Sequence, residues 1–381
     1  MIAFTRIAAA LCLLLAVQPS FAQQGPVKIA GLVELSGTGA TSGTNFDNGV
    51  KLAVKEINAA GGILGRKIEY TSGDTQSNPQ IAKALAQKAV DDGAYVVMGP
   101  VFSGSIMVSM AETKKSEIPN FTGGEAASIT QQGNPYIFRT SFTQTTAMPK
   151  VARYIASDLK AKTVAIIWVN NDFGKGGRDT IAKELEKLGV KVVADISTDP
   201  GQVDFSGPVL RAKQSNADAL FVYSNEEESA RALRELRKQG YDKPIVGETT
   251  LTSQKVIELA GDAANGAVAH VGLTADAPQP AIKAFDDKFQ KEYKNKGDHN
   301  ALKGYSAVYI VKVLTERLGK FDSKAFAAAM HGAKFTVKEN PGVLLDVTFD
   351  QNGDLDRESF MTKVVNGKQQ VVATLPPASA K

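Results

Sequence analysis

The sequence predicts an α/β protein built as two lobes, each a mainly parallel sheet flanked by helices. Three observations carry this. Short apolar runs ending in small or hydroxyl residues alternate with segments whose apolar residues recur at helical spacing. The alternation runs through βαβαβ and then starts afresh past Arg139 with a second set of similar size. The chain has 381 residues, 43% of them hydrophobic and 22% charged, enough to bury two cores.

In chain order, Val27 to Leu35 is an apolar strand closed by Ser36-Gly37-Thr38-Gly39. Phe46, Val50, Ala53, Val54 and Ile57 then mark a helix that ends at Gly61-Gly62. A strand at Lys67 to Ser72, a helix through Ile81, Leu85 and Ala89, and a strand at Tyr95 to Met98 follow. That third strand stops at Gly99-Pro100 and opens into Ser103-Gly104-Ser105 before a helical segment. Ile118 to Phe121 is the next strand and ends in another turn without bulk, Thr122-Gly123-Gly124-Glu125-Ala126, with Tyr136 to Arg139 after it. In an open parallel sheet, ligands bind beyond the carboxyl ends of the strands, where helix N-termini offer free N–H groups to an anion. Two successive turns of this kind point to a carboxylate site, although Ser103 or Ser105 alone also fits a helix N-cap.

The second set begins with a helical stripe from Ala147 to Leu159 and the strand Thr163 to Val169. Strands at Val190 to Ile196, Ala219 to Tyr223, Pro244 to Gly247 and Gly266 to Gly272 alternate with helices around Ile181, Val209 and Glu226 to Gln239. The proline- and alanine-rich stretch Thr274 to Pro280 reads as a passage back to the first lobe, to which the helices near Phe285 to Tyr293 and Leu302 to Leu318 are assigned. Strands at Leu344 to Phe349, Phe360 to Val365 and Gln370 to Ala373 finish the chain, and LPPASAK reads as a loose tail. The expected lobes are 26–143 with 277–352, and 144–276 with 355–375, joined by three crossings.

Met1 to Ala22 has Arg6, an apolar run from Ile7 to Val17 and the small-x-small triplet Ser20-Phe21-Ala22. This is the pattern of a secretory leader cleaved after Ala22. The only cysteine, Cys12, lies within it, so a mature chain would have no disulfide, thiolate metal site or cysteine nucleophile. Net charge is +4 with acids and bases interspersed, and aromatics are 7%, which argues against a nucleic-acid surface. The three histidines lack ligand spacing, Asp172-Phe173-Gly174 reads as a turn after a strand, and Asp350 to Asp356 reads as a tight turn with Gly353 at positive φ. No metal, cofactor or catalytic set is expected.

Six segments stand out together: GVKLAVKEINAAGGILGRKIEY (Gly49 to Tyr70), Ser103-Gly104-Ser105, Ile137 to Thr140, Asn171 to Gly174, GDAANG (Gly261 to Gly266) and FDQNGD (Phe349 to Asp354). In order and spacing they resemble the periplasmic leucine/isoleucine/valine-binding proteins, substrate-binding components of branched-chain amino-acid ABC transporters. The resemblance implies a type I periplasmic binding protein fold and a monomer in the periplasm that serves membrane permease and ATPase subunits. It also implies a small carboxylate ligand, an amino acid first and an aromatic or other amine-free acid second. A sensor ectodomain and a secreted enzyme are the competing classes.

Carried over residue by residue, the family's carboxylate-binding serine falls on Ser103, beside Gly104 and Ser105, and its second turn on Gly124 and Glu125. A threonine often used there falls on Ala126. An aromatic before the first helix falls near Ser42, the ligand-facing tyrosine of the second lobe on Phe173, and another near Asn225 or Glu226. The acid that holds the α-ammonium falls on Thr249, next to Glu248. Ser77 and Phe102 stand at the positions of a disulfide present in some relatives. Glu248 is the first expected partner of a ligand ammonium, with Glu125 and Glu226 as alternatives.

Overall fold

The computed structural model describes residues 25–379. The leader and its cleavage site lie outside the described residues. The first sheet, in the order β2-β1-β3-β4-β5, is wholly parallel and comprises β1 (Val27–Val33), β2 (Ile68–Asp74), β3 (Val96–Met98), β4 (Asn120–Thr122) and β5 (Ile137–Arg139). It is flanked by α1 (Ala40–Ala59), α2 (Pro79–Asp91) and α3 (Ser103–Lys115).

The second sheet runs β15-β14-β10-β9-β8-β6-β7. Its parallel strands are β6 (Thr163–Val169), β7 (Lys191–Thr198), β8 (Ala219–Tyr223), β9 (Ile245–Glu248) and β10 (Val268–Val271). The antiparallel strands β14 (Ser359–Val365) and β15 (Lys368–Leu375) extend it at one side. Around it lie α4 (Gln144–Arg153), continued by a π-helical turn to Asp158, α5 (Asp172–Lys187), α6 (Ser206–Gln214), α7 (Glu226–Lys238) and α8 (Gln254–Ala260). β8 (ALFVY) is buried at every position, as its unbroken apolar run requires of a strand covered on both faces, whereas the edge strand β7 is largely exposed or half-buried.

After β10 the chain returns to the first sheet with α9 (Pro280–Tyr293), α10 (His299–Leu318) and α11 (Ser323–Met330). α9 and α10 pack on α1. Lys55 pairs with Glu292 at 2.6 Å, and the Tyr293 hydroxyl donates to the Asn48 carbonyl at 3.0 Å. Gly304 is demanded by this contact, because a Cβ there would lie 2.2 Å from the Phe46 carbonyl oxygen. A small sheet of β11 (Lys334–Phe335), β12 (Val347–Phe349) and β13 (Leu355–Asp356) precedes the last passage to β14.

Two expectations need correction. Asp172, Phe173 and Gly174 are not a turn but the first turn of α5, capped by the Asn171 side chain, which accepts the Gly174 N–H at 2.9 Å. The tail is not loose through its described length, since Leu375 ends β15 and the N–H groups of Ala378 and Ser379 both donate to Asp356 at 2.9 Å.

Candidate functional site

Strand order changes direction between β1 and β3 in one sheet and between β6 and β8 in the other, and a crevice opens beyond the carboxyl ends of the strands at each such point. The two crevices face each other. Between them lies a cavity of about 440 Å³, walled by the loops after β1, β3 and β4 on one side, those after β6 and β8 on the other, and the start of α10. Such a volume suits one small molecule. The lobes touch over it: the Ser42 hydroxyl donates to the Glu226 carboxylate at 2.9 Å, and Thr41 to Glu227 at 3.1 Å.

The first-lobe wall is built to present donors. Glu34 leaves the end of β1 fully buried and accepts the N–H groups of Val101 and Phe102 at 3.1 Å each, which fixes the approach to α3. Burial pushes its carboxyl up to about 7 against those N–H groups. The N-cap residue of α3, Phe102, makes no side-chain cap bond, and first-turn N–H groups have no intrahelical partner. Ser103 is not the cap. Its hydroxyl accepts the Ala126 N–H at 3.3 Å and so ties the helix start to the neighbouring turn. The carbonyls of that turn are consumed from behind by Arg139, which donates to Gly124 at 2.6 Å and Ala126 at 3.1 Å.

The second-lobe wall supplies acid and aromatic surface. Glu226 opens α7, is 3% exposed, and is pushed up to about 7 by burial and then by the negative charge of Asp298. The Phe173 ring stacks on Tyr223 with centroids 4.1 Å apart, and its carbonyl accepts from Gln144 at 2.7 Å.

Of the residues read from the sequence, Phe102, Ser103, Gly104, Ser105, Gly124, Glu125, Phe173, Asn225 and Glu226 line the cavity. Ala126, Glu248 and Thr249 do not; Thr250 does. Glu248 is displaced because it ends β9 with its side chain turned into the protein, where it accepts from the Thr249 hydroxyl at 2.5 Å and lies 3.2 Å from His270 Nδ1. That distance would suit an ion pair, but burial and then Lys150 push the His270 imidazole down to about 3, so it is neutral.

The sequence reading missed His299, Asn300 and Lys303 on α10, all of which line the cavity. The available signal was a lysine within a helix whose neighbours Ala301, Leu302, Tyr305 and Ala307 are all core residues. Its ammonium lies 3.5 Å from Glu125 Oε1 and 3.4 Å from the Gly123 carbonyl. Among the described residues, no group of three or more His, Cys, Asp or Glu side chains could hold a metal ion.

Ser103→Ala is expected to weaken binding of a carboxylate ligand by about 1.5 to 3 kcal/mol, the scale of a hydrogen bond to a charged group. Titration calorimetry checks this beside thermal melting of the ligand-free protein. Lost stability with affinity intact would reduce Ser103 to its bond with Ala126.

Two α/β lobes meeting over a small-molecule cavity define a two-lobed ligand-binding protein. The chain belongs to the periplasmic binding protein family, whose model matches residues 26–369. It is 27% identical over 335 residues to a leucine-, isoleucine-, valine-, threonine- and alanine-binding protein of Pseudomonas aeruginosa, covering 88% of each chain. The branched-chain amino-acid transporter substrate-binding protein LivJ of Streptococcus pneumoniae, solved with isoleucine, superposes with a TM-score of 0.82 at 27% identity, covering 92% of this chain and all of that one. A solute-binding protein of an ABC transporter from Rhodopseudomonas palustris, solved with 3,4-dihydroxybenzoic acid, shares the fold with a TM-score of 0.84 at 24% identity over 92% of this chain and 97% of that one.

Proposed function

We propose that this chain is the periplasmic substrate-binding component of an ABC importer and that it captures an amino acid, branched-chain or otherwise neutral, between closing lobes. The lobes are 26–143 with 277–352 and 144–276 with 355–375. One observation carries the ligand class: the cavity sets the uncapped start of α3 on one wall against the buried carboxylate of Glu226 on another. A helix N-terminus favours a carboxylate and a buried acid favours an ammonium, the two charges of an amino acid. Ser103, Gly104, Ser105 and the Gly124–Glu125 turn take the carboxylate in this reading, and Glu226 with Ser42 takes the ammonium. The chain performs no chemistry on its ligand, acts as a monomer, and hands the ligand to permease and ATPase subunits after export and cleavage following Ala22.

A second reading, an aromatic acid, is favoured by Phe102 on the cavity wall and by the Phe173–Tyr223 stack. Such a ligand would leave Glu226 facing no cation in a buried site, a costly arrangement unless that acid is protonated.

Closure is tested by small-angle X-ray scattering with a mixture of the twenty standard L-amino acids, then with benzoate. A site that gains contacts from both lobes only when they meet stabilises the closed form, so the radius of gyration is expected to fall with the amino acids. A profile unchanged by either addition contradicts the reading. Contraction with benzoate alone selects the aromatic acid.

A further inference from the structure

At the edge of the cavity, an acid of each lobe meets an acid of the other. Glu125 follows β4 of the first sheet and Glu248 ends β9 of the second; Tyr223 and Glu248 are neighbours one residue past the paired Val222 and Gly247 of β8 and β9, and the Tyr223 hydroxyl donates to Glu125, which brings the two acids together. Both are buried, Glu248 at 2% and Glu125 at 8% exposure. The two oxygens of Glu125 are engaged, Oε2 by the Tyr223 hydroxyl at 3.0 Å and Oε1 by Lys303 at 3.5 Å. Glu248 Oε1 takes the Thr249 hydroxyl and faces His270, but its Oε2 has no hydrogen-bond partner. Two ionised carboxylates have no hydrogen to share. One proton between them supplies the missing bond and removes the repulsion of like charges held in a dry site.

We propose that closing the lobes takes up one proton, shared by Glu125 and Glu248, so that the protein holds its ligand more firmly in neutral and mildly acidic medium than in alkaline medium. This rests on lobe closure as read above. In an open form the cleft is wet, and both acids are ordinary carboxylates, ionised at neutral pH. In the closed form burial, followed by the charge of Glu248, raises Glu125 to about 8, and burial raises Glu248 as well.

The surrounding charges leave a single proton as the right number. Lys303 of α10 balances the one negative charge that remains on the pair, with Asp298 also facing that lysine. Tyr223 of β8 is a neutral donor backed by Gln144 of α4, and His270 of β10 is neutral. Lys150 of α4 acts on His270 from a distance and is itself bonded to Ser359. Glu226 is pushed up to about 7 in the ligand-free cleft by burial and then by Asp298, but the ligand ammonium it faces favours its charged form, so with an amino acid bound it adds no proton uptake.

Since the closed form binds the extra proton and the open form does not, affinity falls as pH rises from the ordinary carboxylate range to about 8 and is level above it. One proton corresponds to about a tenfold change per pH unit.

The test follows half-closure of the full chain by small-angle scattering against the amino-acid mixture between pH 6 and 9. For the wild type, the half-closing concentration is expected to rise about tenfold per unit up to pH 8 and then to flatten. In Glu248→Gln the amide N–H replaces the shared proton at the same net charge, so the half-closing concentration is expected to be flat with pH. Glu125→Gln flattens it equally and serves if Glu248→Gln does not fold. A flat wild-type profile, or a variant as steep as the wild type, overturns the proposal. Absence of closure at every pH overturns the binding reading itself, and the inference with it.

Discussion

Glu226→Gln is expected to weaken amino-acid binding by about 3 kcal/mol or more, over a hundredfold, because it removes the charge that this reading places opposite the ligand ammonium in a site that excludes water. The change is nearly isosteric. A glutamine oxygen can still accept from Ser42, whose hydroxyl lies 2.9 and 3.0 Å from the two carboxylate oxygens, so the closing contact between lobes survives. An amine-free acid should therefore bind the variant at least as well as the wild type, since the variant no longer buries an acid without a counter-ion. Calorimetric titration of both proteins with both ligand types separates the cases. Amino-acid affinity that survives the change would move the ammonium to Glu125.

Arg139→Met is expected to lower the denaturation midpoint by the equivalent of roughly 3 to 5 kcal/mol, the usual cost of removing one partner from a buried ionic network. Arg139 is fully buried at the end of β5 and holds four groups at once: Asp354 at 2.6 Å, the Gly124 and Ala126 carbonyls, and the Thr130 hydroxyl at 3.0 Å. The FDQNGD turn docks beneath it. The Arg139 N–H donates to the Gly353 carbonyl at 2.9 Å, and Gly353, at φ +86°, sits where a Cβ would lie 2.1 Å from the Ile137 carbonyl. Methionine keeps the bulk but none of the donors, so Asp354 loses its counter-ion, keeping only the Thr130 hydroxyl at 2.9 Å, and the Gly124 and Ala126 carbonyls lose the guanidinium, with Ser141 still donating to Gly124 at 2.7 Å. Urea denaturation checks the stability loss, and ligand affinity should fall with it because the 124–126 turn forms a wall of the site. A midpoint shift equivalent to less than 1 kcal/mol would mean that solvent satisfies these groups.

What was legible in the sequence follows from the range over which each signal acts. β6 and β8 are placed residue for residue, since a strand buried on both faces must be apolar throughout and its ends are marked by polar loops. Short or alanine-rich helices such as α8 and α11 carry too few apolar positions to show a period, and were not anticipated. The loops that form the cavity were readable because they end neighbouring strands. Which acid in those loops faces the cavity was not. Glu248 ends one parallel strand of the second sheet and Glu226 follows another; the first turns inward to Thr249 and His270, and the second faces Ser42 across the cleft. That difference depends on backbone angles at the strand end and on the opposite lobe. Lys303 was hidden for the same reason, being separated in sequence by 180 residues from the Gly123 carbonyl it approaches.

The central claim, capture of an unaltered amino acid, is tested most directly by native mass spectrometry of the protein after incubation with a mixture of amino acids and aromatic acids. The account predicts one bound molecule per chain with the mass of an amino acid from the mixture, released unchanged on denaturation. Retention of an aromatic acid alone, or release of a chemically altered product, would contradict it.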